Sequence, residues 1–320
     1  MGFKVLIPQD VSKVGKDYLL ERGYEIKMGK SITVEQMIKD VEDCDAILAR
    51  TAMFPADVLR AGKKLKVIAR HGVGVDNIDL KTAEELGIWV TNAPLSNANS
   101  VAEHTIGFII ASARNFVRCD KEFKAGNFEI RNKLNGYDLE GKILGLIGLG
   151  RIGTMVAKKA SLGLDMKVVG YDPYLTQDDV IPQIELINDW EYVFKNSDFI
   201  SLHMPATEKT KGIVGMKEFE MMKSTAYFIN CARGEVVNEP DLIEALKTNK
   251  IAGAALDVFS VEPLPKDSPL FGLDNLIITP HNAALTKEAT MRMALHAAIG
   301  IDEVLSGKRP SWPVNNPKIK

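Results

Sequence analysis

The first hundred residues alternate short apolar runs with segments whose apolar residues recur at helical spacing. The apolar runs lie at residues 4–8, 25–28, 46–49, 66–69 and 88–91. Residues 14–22, 34–41 and 56–61, which lie between these runs, place apolar side chains three or four positions apart. Alternation of this kind predicts a parallel sheet with helices on both faces.

The same alternation restarts after two connecting segments. Apolar residues at helical steps predict one helix over residues 100–118, and residues 119–140 are polar. Strands are then predicted at 142–147, 167–171, 199–203, 226–230, 252–256 and 276–278, with helices at 152–161, 241–247 and 287–305. We therefore predict an α/β protein with two doubly wound parallel-sheet domains.

Length and charge narrow the classes of partner. A chain of 320 residues exceeds the size at which one core usually keeps growing, which agrees with two domains. The 42 acidic residues against 40 Lys and Arg give a net charge of −2. Nucleic acid and anionic membrane surfaces reward a strong positive excess, so we expect neither as a partner.

The cysteines and the N-terminus favour the cytoplasm. Cys44, Cys119 and Cys231 are far apart and form no CxxC pair, so we expect neither a disulfide framework nor a metal site. The apolar run at residues 5–7 is too brief for the core of a signal peptide. No run of eighteen or more apolar residues predicts a membrane-spanning helix.

A glycine motif opens the second βα series. Gly148, Gly150 and Gly153 form GxGxxG between the predicted strand 142–147 and the predicted helix 152–161. The first glycine permits a tight turn, the second lets a pyrophosphate approach the backbone, and the third allows close packing of helix and strand. The helix N-terminus then offers unpaired N–H groups to the phosphates, which predicts a dinucleotide site.

An acidic residue completes this fingerprint. Asp172 follows the predicted strand 167–171, about twenty residues beyond the glycines. Its carboxylate would accept hydrogen bonds from a ribose 2′-hydroxyl and repel a 2′-phosphate. The pattern therefore favours NAD over NADP as cofactor.

Three further residues have the chemistry that hydride transfer to a 2-oxo acid requires. Arg233 directly follows a predicted strand, where ligands of α/β sheets bind, and its planar fork suits a carboxylate. His281 and Glu262 follow two other predicted strands, and a paired carboxylate would keep the histidine protonated near neutral pH. Taken singly, each residue is more often an ordinary loop residue, so their convergence is an expectation.

The remaining histidines show no pairing in the sequence. Packing or exposure is the better interpretation for His104 and His296, which lie on predicted helices, and His71 has no assigned role. His203 ends a predicted strand and could line a cofactor cleft. Cys231 has no neighbouring base, so we interpret it as part of a site wall.

Six sequence blocks together resemble the D-isomer-specific 2-hydroxyacid dehydrogenase family. They are residues 69–77 (ARHGVGVDN), 101–103 (VAE), 148–153 (GLGRIG), 230–234 (NCARG), 254–259 (AALDVF) followed by Glu262-Pro263, and 279–281 (TPH). The resemblance implies a flavodoxin-like substrate domain at 1–98 plus 287–320. It also implies an inserted Rossmann NAD-binding domain at 99–286.

The resemblance also implies roles for individual residues. Arg233 would bind the substrate's carboxylate and carbonyl, His281 would be the acid/base, and Glu262 its partner. The backbone of Val73 and Gly74 would hold the carboxylate as well. Besides Gly148, Gly150 and Gly153, cofactor contacts would carry over to Arg151, Ile152, Asp172, Pro205, Thr210, Cys231, Ala232, Arg233, Asp257 and His281.

Within the family, the chain looks most like the 3-phosphoglycerate dehydrogenases. Arg50, Arg70 and Arg131 fall where those enzymes keep cations near the phosphate, although surface arginines are common. The family usually has a glycine two residues beyond the catalytic histidine, and Ala283 occupies that position here. The resemblance further implies a homodimer built largely through the nucleotide domain.

Other functions remain open at this point. Hydroxypyruvate, glyoxylate and D-lactate-type acids are alternative substrates. A different class is the NAD-sensing corepressor, which keeps this fold and uses the nucleotide to set its association state. Dehydrogenases of formate or phosphite also keep the arginine and the histidine.

Overall fold

The computed structural model describes residues 2–318. It divides the chain into two compact units. The terminal unit comprises the residues up to Asn97 together with those from Ala284 onward, and the inserted unit comprises Ala98–Ala283.

Residues 2–318 form twelve strands, mostly short and apolar. They are β1 (Lys4–Ile7), β2 (Glu25–Met28), β3 (Ala46–Ala49), β4 (Val67–Arg70), β5 (Trp89–Thr91), β6 (Ile143–Ile147), β7 (Lys167–Tyr171), β8 (Ile184–Leu186), β9 (Phe199–Leu202), β10 (Tyr227–Asn230), β11 (Gly253–Leu256) and β12 (Leu276–Ile278). Their mean length of a few residues is typical of sheets covered by helices on both faces.

Eleven α-helices accompany these strands within the same described residues. They are α1 (Lys13–Glu21), α2 (Val34–Val41), α3 (Ala56–Ala61), α4 (Leu80–Leu86), α5 (Ala98–Ala113), α6 (Phe116–Lys124), α7 (Arg151–Leu164), α8 (Trp190–Asn196), α9 (Met216–Met221), α10 (Glu239–Lys247) and α11 (Lys287–Leu305). Single 3₁₀ turns lie at Phe128–Asn132, Gln177–Asp179, Gly234–Val236 and Pro269–Gly272.

The terminal unit is a five-stranded parallel sheet in the order β2-β1-β3-β4-β5. This is the flavodoxin-like strand order. Successive strand residues point to opposite faces, so Val5 and Ile7 pack in one buried cluster and Leu6 in another. The first cluster includes Ala294, Ala297 and Ile301 of α11, which returns the chain to this sheet.

The inserted unit is a seven-stranded parallel sheet in the order β12-β11-β10-β9-β6-β7-β8. Numbered from β6, this is the Rossmann order with a seventh strand added, and the order reverses between β6 and β9. Its core contains the fully buried rings of Phe194, Phe219 and Phe228. The predicted class of two doubly wound parallel-sheet domains is thereby confirmed.

One predicted helix is wrong. Residues 100–118 do not form a single helix, because α5 ends at Ala113 and α6 begins at Phe116. Between them Asn115 adopts a left-handed backbone conformation with φ of 53°. Its side chain donates to the Asn135 carbonyl, and the Tyr137 amide donates to the Ala113 carbonyl, so a distant segment stabilises the break. Part of the polar segment 119–140 is helical as well, since α6 extends to Lys124.

The helices of residues 2–318 differ from helices that cross a lipid bilayer. None of them combines the length and the apolar character that a membrane-spanning helix requires.

Candidate active site

The candidate residues of the inserted unit follow the carboxyl ends of its strands. The segments after β6, β9, β10, β11 and β12 begin at Gly148, His203, Cys231, Asp257 and Thr279. Because all these strands are parallel, their carboxyl ends share one edge of the sheet, which is where ligands of open α/β sheets bind.

The glycine loop after β6 has the geometry that a dinucleotide needs. Gly148 has a φ of 93°, and a Cβ there would lie 2.8 Å from the backbone of His203. A Cβ on Gly153 would lie 2.3 Å from the Gly148 carbonyl oxygen, so this glycine permits α7 to pack against the loop. A Cβ on Gly150 would meet nothing within 4 Å, which leaves the backbone approachable. The tight turn at Gly148 and the close packing at Gly153 are therefore present as predicted, and the approach of a pyrophosphate at Gly150 stays a prediction.

The N-terminus of α7 offers its backbone donors to a phosphate. Gly150 is the N-cap, and no side chain caps this helix. Arg151 begins the helix and is exposed, while Ile152 is half-buried. The uncapped N–H groups and the open backbone at Gly150 fit a pyrophosphate.

Asp172 follows β7 and braces the glycine loop. Its Oδ2 accepts a hydrogen bond from the Leu149 amide at 3.0 Å, and its Oδ1 accepts one from the Tyr174 amide at 3.1 Å. A carboxylate offers about four acceptor positions, so each oxygen retains capacity for a ribose hydroxyl. The residue thus holds the loop, and its contact with a ribose stays a prediction.

The other candidate cofactor residues lie in loops of the same edge. Thr210 Oγ1 lies 2.7 Å from the Pro205 carbonyl and 2.8 Å from the Thr207 amide, so it closes the turn after β9. Cys231 is buried beside Ala232, and burial raises the pKa of its thiol to about 12. A thiol of that kind stays protonated, in agreement with a wall position.

Arg233 is held in a braced turn at the end of β10. The buried Asn230 donates to the Arg233 carbonyl at 2.9 Å and accepts from the Ala232 amide at 2.9 Å. The guanidinium Nη1 donates to the Ala232 carbonyl at 2.7 Å. Its positive charge contributes to the lowered pKa of Glu262 and opposes the net rise in the pKa of His281, so the cation acts on the acid/base pair.

Close packing joins the Arg233 turn to the loop after β11. A Cβ on Gly234 would lie 1.9 Å from the Phe259 carbonyl carbon, which only glycine avoids. The Phe259 amide in turn donates to Glu262 Oε1 at 3.0 Å. The Arg233 turn and the Glu262 loop therefore support each other.

His281 and Glu262 form a close hydrogen-bonded pair. His281 Nδ1 lies 2.6 Å from Glu262 Oε2, and the imidazole is partly exposed. The Glu262–Pro263 peptide bond is cis. With Nδ1 bound to the carboxylate, Nε2 is the ring nitrogen that remains for a substrate.

The pair shifts each partner's pKa. The hydrogen bond that Glu262 accepts raises the pKa of His281 above its ordinary 6.5, and burial and the Arg233 charge oppose this rise. Burial raises the pKa of Glu262. The hydrogen bonds that Glu262 accepts from His281 and the Phe259 amide together lower that pKa by more, so the net shift is a decrease. Both shifts favour the ionic form of the pair.

Asp257 holds the segment that carries His281. It is 1% exposed and accepts hydrogen bonds from Thr279 Oγ1, the Asn282 amide and the Ala283 amide at 2.5, 2.9 and 2.9 Å. His281 adopts a left-handed conformation with φ of 50°, which costs a non-glycine residue about 1 kcal/mol or more. The contact of Asp257 with the cofactor stays a prediction.

Ala283 occupies the position at which the resemblance implies a glycine. It is buried, and its amide donates to Asp257. The methyl group thus lies inside the segment beside His281.

The candidate substrate residues of the terminal unit lie at or just beyond the carboxyl ends of β3 and β4. Arg50 donates to the Asp10 carbonyl at 3.2 Å, and Arg70 donates to the His71 carbonyl. Val73 is partly exposed, and its carbonyl accepts from Asn92 Nδ2 at 2.8 Å. Gly74 follows in the same loop. In the inserted unit, Arg131 lies over the Phe128 ring at 5.4 Å.

Three of the other histidines have hydrogen-bond partners that the sequence did not indicate. His104 also shows the packing that was expected of it, since its ring meets that of Phe108 at a centroid distance of 4.5 Å. His71 Nε2 lies 3.3 Å from the Thr290 carbonyl, and burial lowers its pKa to about 4. His104 Nε2 lies 3.1 Å from Thr279 Oγ1. The half-buried His203 contacts Ser201 Oγ at 3.0 Å.

His296 shows the packing that was expected of it. Its ring lies 4.6 Å from that of Trp312, centroid to centroid. The hydrogen-bond partner of His104 lies 175 residues away in the chain, and that of His71 lies 219 residues away. Partners at such separations leave no local signal in the sequence.

A glycine loop, a guanidinium and an imidazole–carboxylate pair follow strands at one edge of the sheet, an arrangement that fits a nucleotide-dependent oxidoreductase. The family described as "D-isomer specific 2-hydroxyacid dehydrogenase, NAD binding domain" matches residues 106–283. The chain belongs to the D-isomer specific 2-hydroxyacid dehydrogenase family, and its inserted unit is the NAD-binding domain. The resemblance and the NAD cofactor predicted from the sequence are confirmed.

Curated relatives carry several names. The chain is 43% identical over 303 residues to the D-3-phosphoglycerate dehydrogenase of Methanocaldococcus jannaschii, covering 94% of the chain and 57% of that protein. It is 39% identical over 297 residues to the hydroxypyruvate reductase of Thermotoga maritima, covering 92% of the chain and 95% of that protein. The chain thus spans somewhat more than half the length of the phosphoglycerate dehydrogenases it matches.

Solved structures agree with the fold. The NAD⁺-bound 3-phosphoglycerate dehydrogenase of Entamoeba histolytica is 27% identical with a TM-score of 0.84, covering 99% of the chain and all of that structure. The apo D-lactate dehydrogenase of Escherichia coli is 28% identical with a TM-score of 0.83, covering 98% of the chain and all of that structure.

Proposed function

We propose that the chain is an NAD-dependent oxidoreductase that interconverts a small D-2-hydroxy acid and its 2-oxo acid. The observation that carries this proposal is the 2.6 Å pair of His281 and Glu262. It lies at the sheet edge that also holds Arg233 and the glycine loop. These are the groups that acid/base chemistry at a carbinol next to a carboxylate requires.

His281 is the proton carrier in this proposal. Glu262 accepts the Nδ1 hydrogen, so Nε2 takes the substrate's hydroxyl proton during oxidation and returns it to the alkoxide oxygen during reduction. The imidazolium formed during oxidation is stabilised by the carboxylate. Positioned proton transfer of this kind is worth roughly 10²–10⁴ in rate.

Arg233 is the proposed anchor of the substrate's carboxylate and carbonyl. Its guanidinium suits bidentate binding, and the hydrogen bonds of Asn230 brace the turn that carries it. When bound, NAD⁺ would accept the hydride that leaves C2 during oxidation, and NADH would donate a hydride to C2 during reduction. The residues proposed to hold the cofactor are Gly148, Gly150, Gly153, Arg151, Ile152, Asp172, Pro205, Thr210, Cys231, Ala232 and Asp257.

We propose 3-phosphoglycerate as the leading substrate. Relatives named D-3-phosphoglycerate dehydrogenase are 43% and 40% identical over 94% and 99% of the chain. Arg50 and Arg70 are the proposed phosphate-end cations, and the backbone of Val73 and Gly74 is the proposed further contact for the carboxylate. The phosphate requires cationic partners in addition to the one that binds the carboxylate, and glyoxylate has no phosphate.

A second candidate is the reduction of hydroxypyruvate or glyoxylate. The hydroxypyruvate reductase of Thermotoga maritima is matched over 95% of its length, and the glyoxylate reductase of Thermofilum pendens over 86% of its length at 41% identity. Both matches extend over most of each protein, unlike those to the phosphoglycerate dehydrogenases.

The deciding experiment measures NADH oxidation with phosphohydroxypyruvate, hydroxypyruvate, glyoxylate and pyruvate. We expect turnover, with the highest kcat/KM on phosphohydroxypyruvate and loss of activity in His281→Ala. A higher kcat/KM on hydroxypyruvate or glyoxylate selects the second candidate. NADH binding without turnover of any of the four acids contradicts both and favours a nucleotide sensor.

We further propose that the chain forms a homodimer through its inserted unit and acts in the cytoplasm. Phe116, Phe123 and Phe128 are 53%, 60% and 56% exposed around α6, an apolar surface that suits a second copy. The three cysteines are free, in agreement with a reducing compartment. Light scattering tests the dimer, because Phe123→Glu should yield a monomer.

A further inference from the structure

His104 is a histidine of the inserted unit to which the proposed reaction gives no role. It lies in the second turn of α5, and its ring meets that of Phe108 edge-on at a centroid distance of 4.5 Å. Its Nε2 lies 3.1 Å from Thr279 Oγ1, at the start of the segment that carries His281. The side chain is partly buried.

The hydroxyl of Thr279 sets the direction of this hydrogen bond. Thr279 Oγ1 donates its single hydrogen to Asp257 Oδ1 at 2.5 Å. The hydroxyl therefore accepts from its other partner, and His104 must donate through Nε2–H. His104, Thr279 and Asp257 form a directed chain of hydrogen bonds that ends on a buried carboxylate.

The same carboxylate holds both sides of His281. Asp257 accepts from the Asn282 and Ala283 amides, and the His281 amide donates to the Thr279 carbonyl at 3.0 Å. His281 has a left-handed backbone, which persists only where its surroundings determine it. The polar contacts of Thr279 and Asp257 supply that constraint, and His104 completes those of Thr279.

We propose that His104 is a positioning residue for His281, acting through Thr279 and Asp257 to hold the 279–283 segment in its strained conformation. This inference rests on the proposed function, because it assigns His281 the proton transfer. His104 touches neither reacting atom in this proposal. Its effect is to keep His281 in register with Glu262.

The charges around the two imidazoles agree with a neutral donor at position 104. Asp257 Oδ1 lies 3.9 Å from His104 Nε2, and burial lowers the pKa of His104 more than this carboxylate raises it. His281 instead faces Glu262, Asp257 and Arg233, and its pKa is raised. The pKa shifts of the two histidines therefore have opposite signs, which agrees with a neutral donor at position 104 and a proton carrier at position 281.

The test compares His104→Phe with His104→Gln and Thr279→Val. His104→Phe removes the donor, and we expect kcat for the 2-oxo acid to fall about tenfold or more, since small displacements of a reacting group are costly. KM and NADH affinity should change less than twofold. The midpoint of the pH profile of reduction should move to lower pH, because a loosened His281 loses part of the stabilisation by Glu262.

Further variants separate positioning from packing. His104→Gln retains an N–H donor and should restore most of kcat, and Phe108→Leu, which trims the ring contact alone, should leave the pH midpoint in place. Thr279→Val should reproduce the His104→Phe effect. The double variant should be no worse than either single one, because both break the same chain.

Two results would overturn the inference. The first is a His104→Phe protein whose kcat and pH midpoint match those of the parent. The second result is used if the parent protein turns over none of the acids, an outcome that contradicts the proposed function but not the positioning role. The pKa of His281 is then read by NMR titration, and an unchanged value in His104→Phe refutes the positioning role independently of activity.

Discussion

Glu262 Oε2 lies 2.6 Å from His281 Nδ1, although 19 positions and the whole of β12 separate the two residues in the chain. The contact arises from strand pairing, because Leu256 and Ile278 are register partners at the ends of β11 and β12. The two loops leave neighbouring strands at the same edge. Parallel pairing thus brings together a carboxylate and an imidazole that the sequence places apart.

This pair predicts how activity depends on pH. Glu262 raises the pKa of His281 above its ordinary 6.5, so the protonated imidazole that reduction needs persists to higher pH. Reduction of the 2-oxo acid should fall as pH rises through that raised pKa, and oxidation should rise over the same range. Initial rates with NADH and with NAD⁺ across pH 5–10 measure both limbs.

Glu262→Gln should move the pH dependence and slow the reaction. Without the carboxylate the pKa of His281 returns toward 6.5, so the decline of reduction should shift to lower pH, with kcat reduced roughly 10²-fold. Glu239→Gln is a matched control, because Glu239 accepts from the Ser260 amide in the same loop but is not the partner of His281. An unshifted midpoint in Glu262→Gln would remove Glu262 from the site.

Arg233→Lys should lose most turnover. Lysine keeps the positive charge, but a point charge cannot reproduce the planar fork that binds a carboxylate at two oxygens. We expect kcat/KM for the 2-oxo acid to fall by about 10²-fold or more, while NADH affinity stays within a few-fold. Steady-state kinetics and fluorescence titration of NADH separate the two effects, and near-normal kcat/KM would exclude the proposed anchor.

Asp172→Ala should relax the choice of cofactor. Its carboxylate lies beside the glycine loop, where it would repel a 2′-phosphate and accept from a 2′-hydroxyl. The ratio of kcat/KM for NADH to that for NADPH should therefore drop by at least tenfold. Because Asp172 also braces the Leu149 amide, Asp172→Asn serves as control, since it keeps an acceptor oxygen without the charge. If the preference for NADH survives in both variants, the ribose assignment is wrong.

The sequence was sufficient for the sheet edge that carries the site, for a physical reason. Buried parallel strands are nearly continuous apolar runs, so β3 and β12 have the bounds predicted from hydropathy alone. Once the strands are placed, their carboxyl ends must meet at one edge. The convergence of His281, Glu262 and Arg233 follows from that rule and from the family resemblance.

Features set by distant contacts were not predictable. The break at Asn115 depends on the 135–137 segment, and the hydrogen bond of His104 on Thr279, 175 residues away. Neither partner leaves a local pattern in the sequence. The elements β8, α4, α8 and α9 were not predicted, and they contain three, seven, seven and six residues, which is too short for a clear period.

Gly234→Ala should damage both stability and activity. The added Cβ would lie 1.9 Å from the Phe259 carbonyl carbon, so the Arg233 turn and the Glu262 loop must separate. We expect a loss of roughly 1–3 kcal/mol in the free energy of unfolding, as for other overpacked sites. Activity should fall as well, because Arg233 adjoins this glycine and Phe259 donates to Glu262.

Gly107→Ala is the matched control for this substitution. Gly107 lies within α5, and a Cβ there would meet nothing within 4 Å. Alanine at that position should stabilise the protein by about 0.5–1 kcal/mol, because glycine loses more backbone entropy in a helix. Urea denaturation of the two variants gives opposite signs if contact with Phe259 is the cause. Destabilisation of equal size in both would instead mean that the methyl group is poorly tolerated wherever it is added, and the close packing of the two loops would lose its support.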